Sequence, residues 1–191
     1  MIIPTFVIVM RPYTKITLIL FLFVVLLFST CSKFEDFPIQ PIIEYNNFLL
    51  EFNETTGITE RGVLMISYQD GDGDIGLRPK DTFPPFHYGG DYYYNMIIDY
   101  YEKQNGKWEL IPLIFPNSET GENDTLTFSV RIPNLTPLTG NQAIKGVIQD
   151  TVFIYNPLSE YDTIKFSVYI IDRALHKSNT VETPPIVRVS N

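Results

Sequence analysis

Between residues 42 and 189 apolar and polar side chains alternate in short runs, and no stretch holds a 3.6-residue apolar period over three turns. The clearest run, "DTIKFSVYIID", sets Ile164, Phe166, Val168 and Ile170 against Lys165, Ser167, Tyr169 and Ile171, the pattern of a half-buried strand. Further strands are predicted over 42–52, 62–69, 124–132, 144–155 and 180–189. Pro184 and Pro185 have no N–H to donate, so the last of these is an edge strand or two short pieces. Residues 92–113 read as a hairpin turning at Asn105-Gly106, a dipeptide that accepts the positive φ angles of a type I′ turn. A strict two-residue loop would set Glu102 opposite Glu109, and like charges across a ladder repel. The predicted register is therefore a bulged three-residue loop that pairs Lys103 with Glu109. In the same stretch Tyr92, Tyr94, Met96, Ile98 and Tyr100 fall on one strand face.

About seven to nine strands, with no helix long enough for a crossover, argue for an all-β fold. The architecture predicted is an antiparallel immunoglobulin-like β-sandwich, with a closed β-barrel as the alternative.

The first thirty residues follow another rule. Ile16–Phe28 is an unbroken apolar-dominated run of 13 residues behind Arg11 and Lys15, short of the roughly 20 needed to span a bilayer and suited to the core of a secretory signal. Met10, followed by "RPYTK", offers a conventional basic start, whereas "MIIPTFVIV" before it is an unusual prefix, so translation is expected to begin at Met10. The run ends in "LLFSTC", and Cys31 is the chain's single cysteine, so it has no internal disulfide partner. That stretch resembles the lipobox of bacterial lipoproteins, with departures at Phe28 and Thr30. The resemblance implies cleavage after residue 30 and lipidation of Cys31. Two or three acyl chains at about 0.8 kcal/mol per buried methylene make a stable membrane anchor. Residues 1–30 then form the signal peptide, 31–41 a tether, and 42–191 one β-sandwich domain.

Charge narrows the partners. The chain carries 14 basic and 22 acidic residues, and loss of Arg11 and Lys15 with the leader takes the net charge from −8 to about −10. No basic cluster is present for a phosphate backbone, so nucleic acid is excluded as an expected partner. An acidic surface suits an exported domain and favours hard cations.

The best candidate for chemistry is "YQDGDGDIGLRPKD" at 68–81. Asp70, Asp72 and Asp74 occupy positions one, three and five of an EF-hand-type loop, Gly76 at position seven offers a backbone carbonyl, and Asp81 falls at position twelve. Ca2+ is the cofactor this spacing implies. The departures are Ile75 where such loops have Gly, Asp in place of a bidentate Glu at twelve, and a strand in place of the leading helix. The competing reading is an Asp-Gly turn whose carboxylates cap backbone N–H groups, although three alternate carboxylates repel one another unless solvated, capped or neutralised.

A second candidate is "FPPFHYGGDYYYN" at 83–95, where Phe86, His87, Tyr88 and Tyr93 supply rings of the kind that contact sugars or proteins. Asp-Thr-aliphatic tripeptides at Thr125, Thr151 and Thr163 resemble the O-glycosylation site of exported Bacteroidota proteins, while Asp-Thr also commonly opens a strand. The closing "IIDRALHKSNTVET" is similar to the "D-x-A-G-N-x-S-N" hairpin of bacterial Ig-like domains at Asp172, Ala174, Ser178 and Asn179, and departs from it at Leu175 and His176. Together with the lipobox, the "FP" after it and "DGDGDIGL", these features resemble a group of Bacteroidota envelope lipoproteins. The resemblance implies an outer-membrane location, on the periplasmic or surface face, and no reaction.

Enzyme chemistry finds little material. His87 and His176 are the only histidines, and no serine has a nucleophile-elbow context. The expectation is a non-enzymatic, lipid-anchored envelope protein that binds or scaffolds a partner and is stabilised by Ca2+. The alternative is a carbohydrate-binding accessory lipoprotein of a glycan-uptake system.

Overall fold

The computed structural model describes residues 36–116, 119–137, 142–156 and 159–188, together with Tyr13. The expected leader apart from Tyr13, Cys31 with its lipid, and the tether as far as Glu35 lie outside the described residues. The chain divides into two compact units, Met1–Glu35 and Asp36–Asn191, and the second carries the fold. Among the described residues no helix is long and apolar enough to cross a membrane.

Strands β1 (Ile42–Asn53) and β2 (Ile58–Asp70) form a long antiparallel hairpin, and β7 (Ile144–Phe153) pairs along the other edge of β2. The second sheet runs β10 (Ile186–Val187), β8 (Thr163–Ile170), β3 (Met96–Gln104), β4 (Lys107–Leu110), with β9 (Val181–Glu182) also on β8. Strands β5 (Leu113–Pro116) and β6 (Asn123–Leu126) make a small separate hairpin. Every pairing between these strands is antiparallel and neither main sheet closes on itself, so the fold is a β-sandwich and not a barrel. The order matches strands A, B and E of an immunoglobulin-type sandwich facing G, F, C and C′.

Period-two alternation builds the core. Ile43, Leu64, Ile66 and Val152 from the first sheet meet Met96, Ile98, Tyr100, Ile164, Phe166, Val168 and Ile170 from the second. Phe48 stacks across the gap on Phe166 at 5.7 Å between ring centroids. Each such side chain contributes about 1.5–3 kcal/mol when fully buried.

Of three further expectations, the first is met and the other two are revised. The 180–189 run is two short pieces, β9 and β10, parted by Pro184 and Pro185. The 124–132 run is divided: β6 ends at Leu126, and beyond it Phe128 and Ile132 turn into the core while Val130 bridges to Met96. Met96, Ile98 and Tyr100 do share a buried face, but β3 begins at Met96, so Tyr92 and Tyr94 belong to the preceding loop.

The bulged register of the β3–β4 hairpin is wrong. Glu102 pairs with Glu109, Lys103 with Trp108 and Gln104 with Lys107, around a two-residue turn with φ of 52° at Asn105 and 82° at Gly106. Repulsion does not decide the register because the two charges live in different surroundings. Glu109 is exposed, whereas the buried Glu102 carboxylate accepts hydrogen bonds from Tyr100 Oη (2.8 Å), Ser159 Oγ (2.7 Å), Gln104 Nε2 (3.2 Å) and Asn156 Nδ2 (3.3 Å). The Arg188 guanidinium lies 3.4 Å away and balances its charge. The ideal Asn-Gly turn then prevails.

Candidate metal centre

Two strands from opposite sheets end at one pole of the sandwich, and each continues its inward row with a carboxylate. On β2 the row Leu64, Ile66, Tyr68 reaches Asp70; on β8 the row Ile164, Phe166, Val168, Ile170 reaches Asp172 just beyond the strand. Both acids are therefore buried by the same alternation that buries the core, at 0% and 1% exposure.

The chain leaving β2 then curls back on itself. Gly73 and Gly76 adopt φ of +66° and +87°, a conformation that side-chain-bearing residues rarely take. Ile75 and Leu77 turn into the core, at 0% and 3% exposure, and pin the loop. Main-chain hydrogen bonds from Leu77 N–H to Ile132 O and from Leu135 N–H to Ile75 O hold it against the 130–135 segment. The residue at the position where a helix-flanked calcium loop has glycine is thus a core anchor.

This curl brings Asp72 and Asp74 beside Asp70 and Asp172, with one oxygen from each of the four within 4.8 Å of the others. Ligands around a single Ca2+ at 2.3–2.6 Å are at most about 4.6–5.2 Å apart, so the spread fits one ion. The fourth carboxylate comes from Asp172. Asp81 lies outside the group, where its Oδ2 accepts the Arg78 N–H at 2.8 Å and caps a turn. Gly76 offers its carbonyl to the Arg173 guanidinium at 2.9 Å.

The electrostatics of this pole are unbalanced. Oδ1 of Asp70, of Asp72 and of Asp74 is buried without a hydrogen-bond partner, while Asp70 Oδ2 accepts the Asp74 N–H at 2.8 Å. Arg173, the nearest cation in sequence, spends its guanidinium on Gly76 O, Asn134 Oδ1 and Thr136 Oγ1. Burial pushes the Asp70 carboxyl up to about 7; the charges of Asp72 and Asp74 add to the rise and the Asp74 N–H opposes it. Asp74 is raised too, first by burial and then by Asp172 and Asp72, against Arg173 and the Ala174 N–H. Asp172 is tied to the exposed side of the hairpin: its Oδ1 accepts the His176 N–H at 2.8 Å and its Oδ2 lies 2.9 Å from His176 Nδ1. That contact raises the imidazole's affinity for a proton.

Buried, unpartnered carboxylate oxygens are expensive, and a cation at their centre removes the cost. Four oxygen donors with no nitrogen or sulfur among them form a hard-cation set. The cluster can hold a metal ion. The signal that would have found Asp172 in the sequence is the strand alternation itself, carried one residue pair past Ile170.

The other candidate residues are dispersed. In the 83–95 loop Arg131 donates to the carbonyls of Asp81 (2.5 Å), Phe86 (3.2 Å) and Tyr93 (3.0 Å) and stacks over the Tyr93 ring at 5.2 Å. Phe86 and Tyr93 are half-buried, His87 is exposed, and Tyr88 stands 83% exposed, edge-on to Tyr93 at 5.1 Å. Thr125 and Thr151 are exposed on β6 and β7, and Thr163 is half-buried with its hydroxyl donating to Asp162 at 2.8 Å. A cleft of about 430 Å3 lies beside Glu102, lined also by Gln104, Ile111, Asn156, Ser159 and Tyr161, but its one buried acid is already fully partnered. Comparison with protein-family models, with curated proteins and with solved structures found no match to this chain.

Proposed function

We propose that this protein is a non-enzymatic, lipid-anchored β-sandwich of the cell envelope, with a binding or scaffolding role, whose folded pole is stabilised by one Ca2+ held by Asp70, Asp72, Asp74 and Asp172. The observation that carries the calcium reading is the convergence of four acids, one oxygen from each within 4.8 Å of the others, three of which also hold a buried oxygen without a hydrogen-bond partner. Ca2+ is preferred over Mg2+, which keeps several waters and needs strict octahedral geometry, because three of the four acids are buried and all come from the protein. The same burial makes the ion a structural staple between the two sheets, not a site that presents an open coordination position to a ligand. The membrane anchor rests on Cys31 behind the apolar run, and location on the outer membrane rests on the lipoprotein resemblance.

Isothermal titration of the calcium-stripped protein tests the cation reading. Heat on adding Ca2+ and a higher melting temperature are expected; neither heat nor a shift at millimolar Ca2+ would sink it. The second reading, a carbohydrate-binding accessory lipoprotein, is favoured by the aromatic loop, where Phe83 at 76% and Tyr88 at 83% exposure project from a backbone fastened by Arg131. A glycan array separates the two: hits abolished by Tyr88→Ala support sugar binding, and a blank array removes it.

A further inference from the structure

The four aspartates sit on two elements, the 70–77 loop and the hairpin after β8; the 134–136 segment touches both, through Thr136 on Gly73 O and on Arg173, and so does a stretch at the start of the domain. That stretch is the lead-in to β1, residues 37–41, with the first two residues of the strand, Ile42 and Ile43. Pro38 O accepts the Gly71 N–H at 2.8 Å, on the loop. Gln40 Nε2 donates to Lys177 O at 2.5 Å, on the hairpin. Asn179, also on the hairpin, grips the Ile43 backbone from both sides: its Oδ1 accepts the Ile43 N–H at 2.8 Å and its Nδ2 donates to Ile43 O at 2.8 Å.

Gly71 lies between Asp70 and Asp72. Its N–H lies in the plane of the Asp70–Gly71 peptide, so a turn of the Asp70 backbone moves both that N–H and one of the cluster's carboxylates. An added Cβ at Gly71 would stand 2.2 Å from Phe37 O and 2.8 Å from Pro38 O, so the loop and the lead-in are in backbone contact with no side chain between them. Without a cation the unpartnered carboxylates repel, which loosens the Asp70–Asp72 turn around Gly71, while Ile75, Leu77 and the Arg173 contact to Gly76 O still hold the far end of the loop to the core and the hairpin.

We propose that cation binding at the four-aspartate cluster and docking of residues 37–41 are one coupled event, so that occupancy of the cluster decides how much of the chain before β1 is held on the domain. The inference rests on the cation reading above. Released, residues 37–41 would add up to about 17 Å of extended chain between the domain and whatever precedes it. The site thus regulates the reach of the domain from its N-terminal side. Linkage makes the coupling reciprocal: whatever disturbs the docked lead-in must weaken cation binding by the same factor.

Two measurements on the full-length protein in detergent micelles test this. Hydrogen exchange over residues 36–43 should slow when Ca2+ replaces chelator. Gly71→Ala, whose nearest neighbours all belong to the lead-in, should weaken Ca2+ binding by about five-fold or more although all four carboxylates remain. Gln40→Ala, a milder change at an exposed residue, should weaken it in the same direction and guards against a misfolded Gly71 variant. If Ca2+ raises the melting temperature but leaves exchange over 36–43 and the affinity of both variants unchanged, the coupling is overturned and the cation site stands. If Ca2+ neither binds nor stabilises the wild-type protein, both fall.

Discussion

Asp70→Asn should reverse sign with calcium. The asparagine keeps an oxygen for the Asp74 N–H and turns an amide toward the crowded side, where Asp70 Oδ1 has no partner. In chelator above neutral pH, wild-type Asp70 is forced to ionise in a buried acidic pole. Its carboxyl is raised from 3.8 to about 7, a shift of about three units, which at about 1.36 kcal/mol per unit sets a ceiling near 4 kcal/mol on the strain relieved. Loop relaxation takes part of that, so the expected gain is about 1–3 kcal/mol, or roughly 2–12 °C in Tm at 2–4 °C per kcal/mol for a domain of this size. With Ca2+ the order inverts. At a thousand times Kd the ion stabilises the wild type by about 4.1 kcal/mol, more than the variant's advantage in chelator, and the variant loses most of this. Thermal unfolding of both proteins at about pH 8, in chelator and in millimolar Ca2+, reads all four values. A variant less stable than wild type in chelator, or equally responsive to Ca2+, would refute the reasoning, because Asp70 would then be a capping residue of an ordinary acidic turn.

The raised carboxyls of Asp70 and Asp74 also predict pH behaviour: their folded forms take up protons more readily than the unfolded chain, so the calcium-free protein should gain stability as pH falls from about 8 toward 4, while Ca2+ affinity declines over the same range. Chemical denaturation across that window checks the sign, and apo stability that falls steadily on acidification to about pH 5 would contradict it. Glu102→Ala leaves Arg188 buried without its counter-charge and should cost about 3–5 kcal/mol in urea unfolding, whereas a loss below about 1 kcal/mol would mean that the network contributes little. Ile75→Gly, although it restores the glycine of a helix-flanked calcium loop, removes a fully buried side chain and should destabilise the domain by about 3 kcal/mol or more, with no gain in Ca2+ affinity. Cys31→Ala should move the protein from the membrane to the soluble fraction, and persistence in the membrane pellet would refute lipid anchoring at that residue.

Alternation along the chain was enough to determine the all-β class, the positions of β1, β2, β7 and β8, the splitting of the last strand at Pro184-Pro185, and the inward direction of Leu64, Phe166 and their neighbours. Those properties are local: a period of two and a missing N–H act within a few residues of where they are written. Asp70, Asp72 and Asp74 were legible as a candidate cluster for the same reason, being neighbours on one loop. The fourth acid was not, because Asp172 is separated from Asp74 by most of the domain and joins the cluster only when β2 and β8 end at the same pole of two facing sheets. Position twelve of a calcium loop pointed to Asp81, but Ile75 anchors the curl in the core and sends the chain away, leaving Asp81 to cap its own turn. The β3–β4 register depended likewise on a remote residue, Arg188, whose charge makes Glu102 tolerable opposite Glu109. Strand identity follows from neighbours in sequence. Which charges face one another, and what balances them, follows from neighbours in space, and only the packed sandwich supplies those.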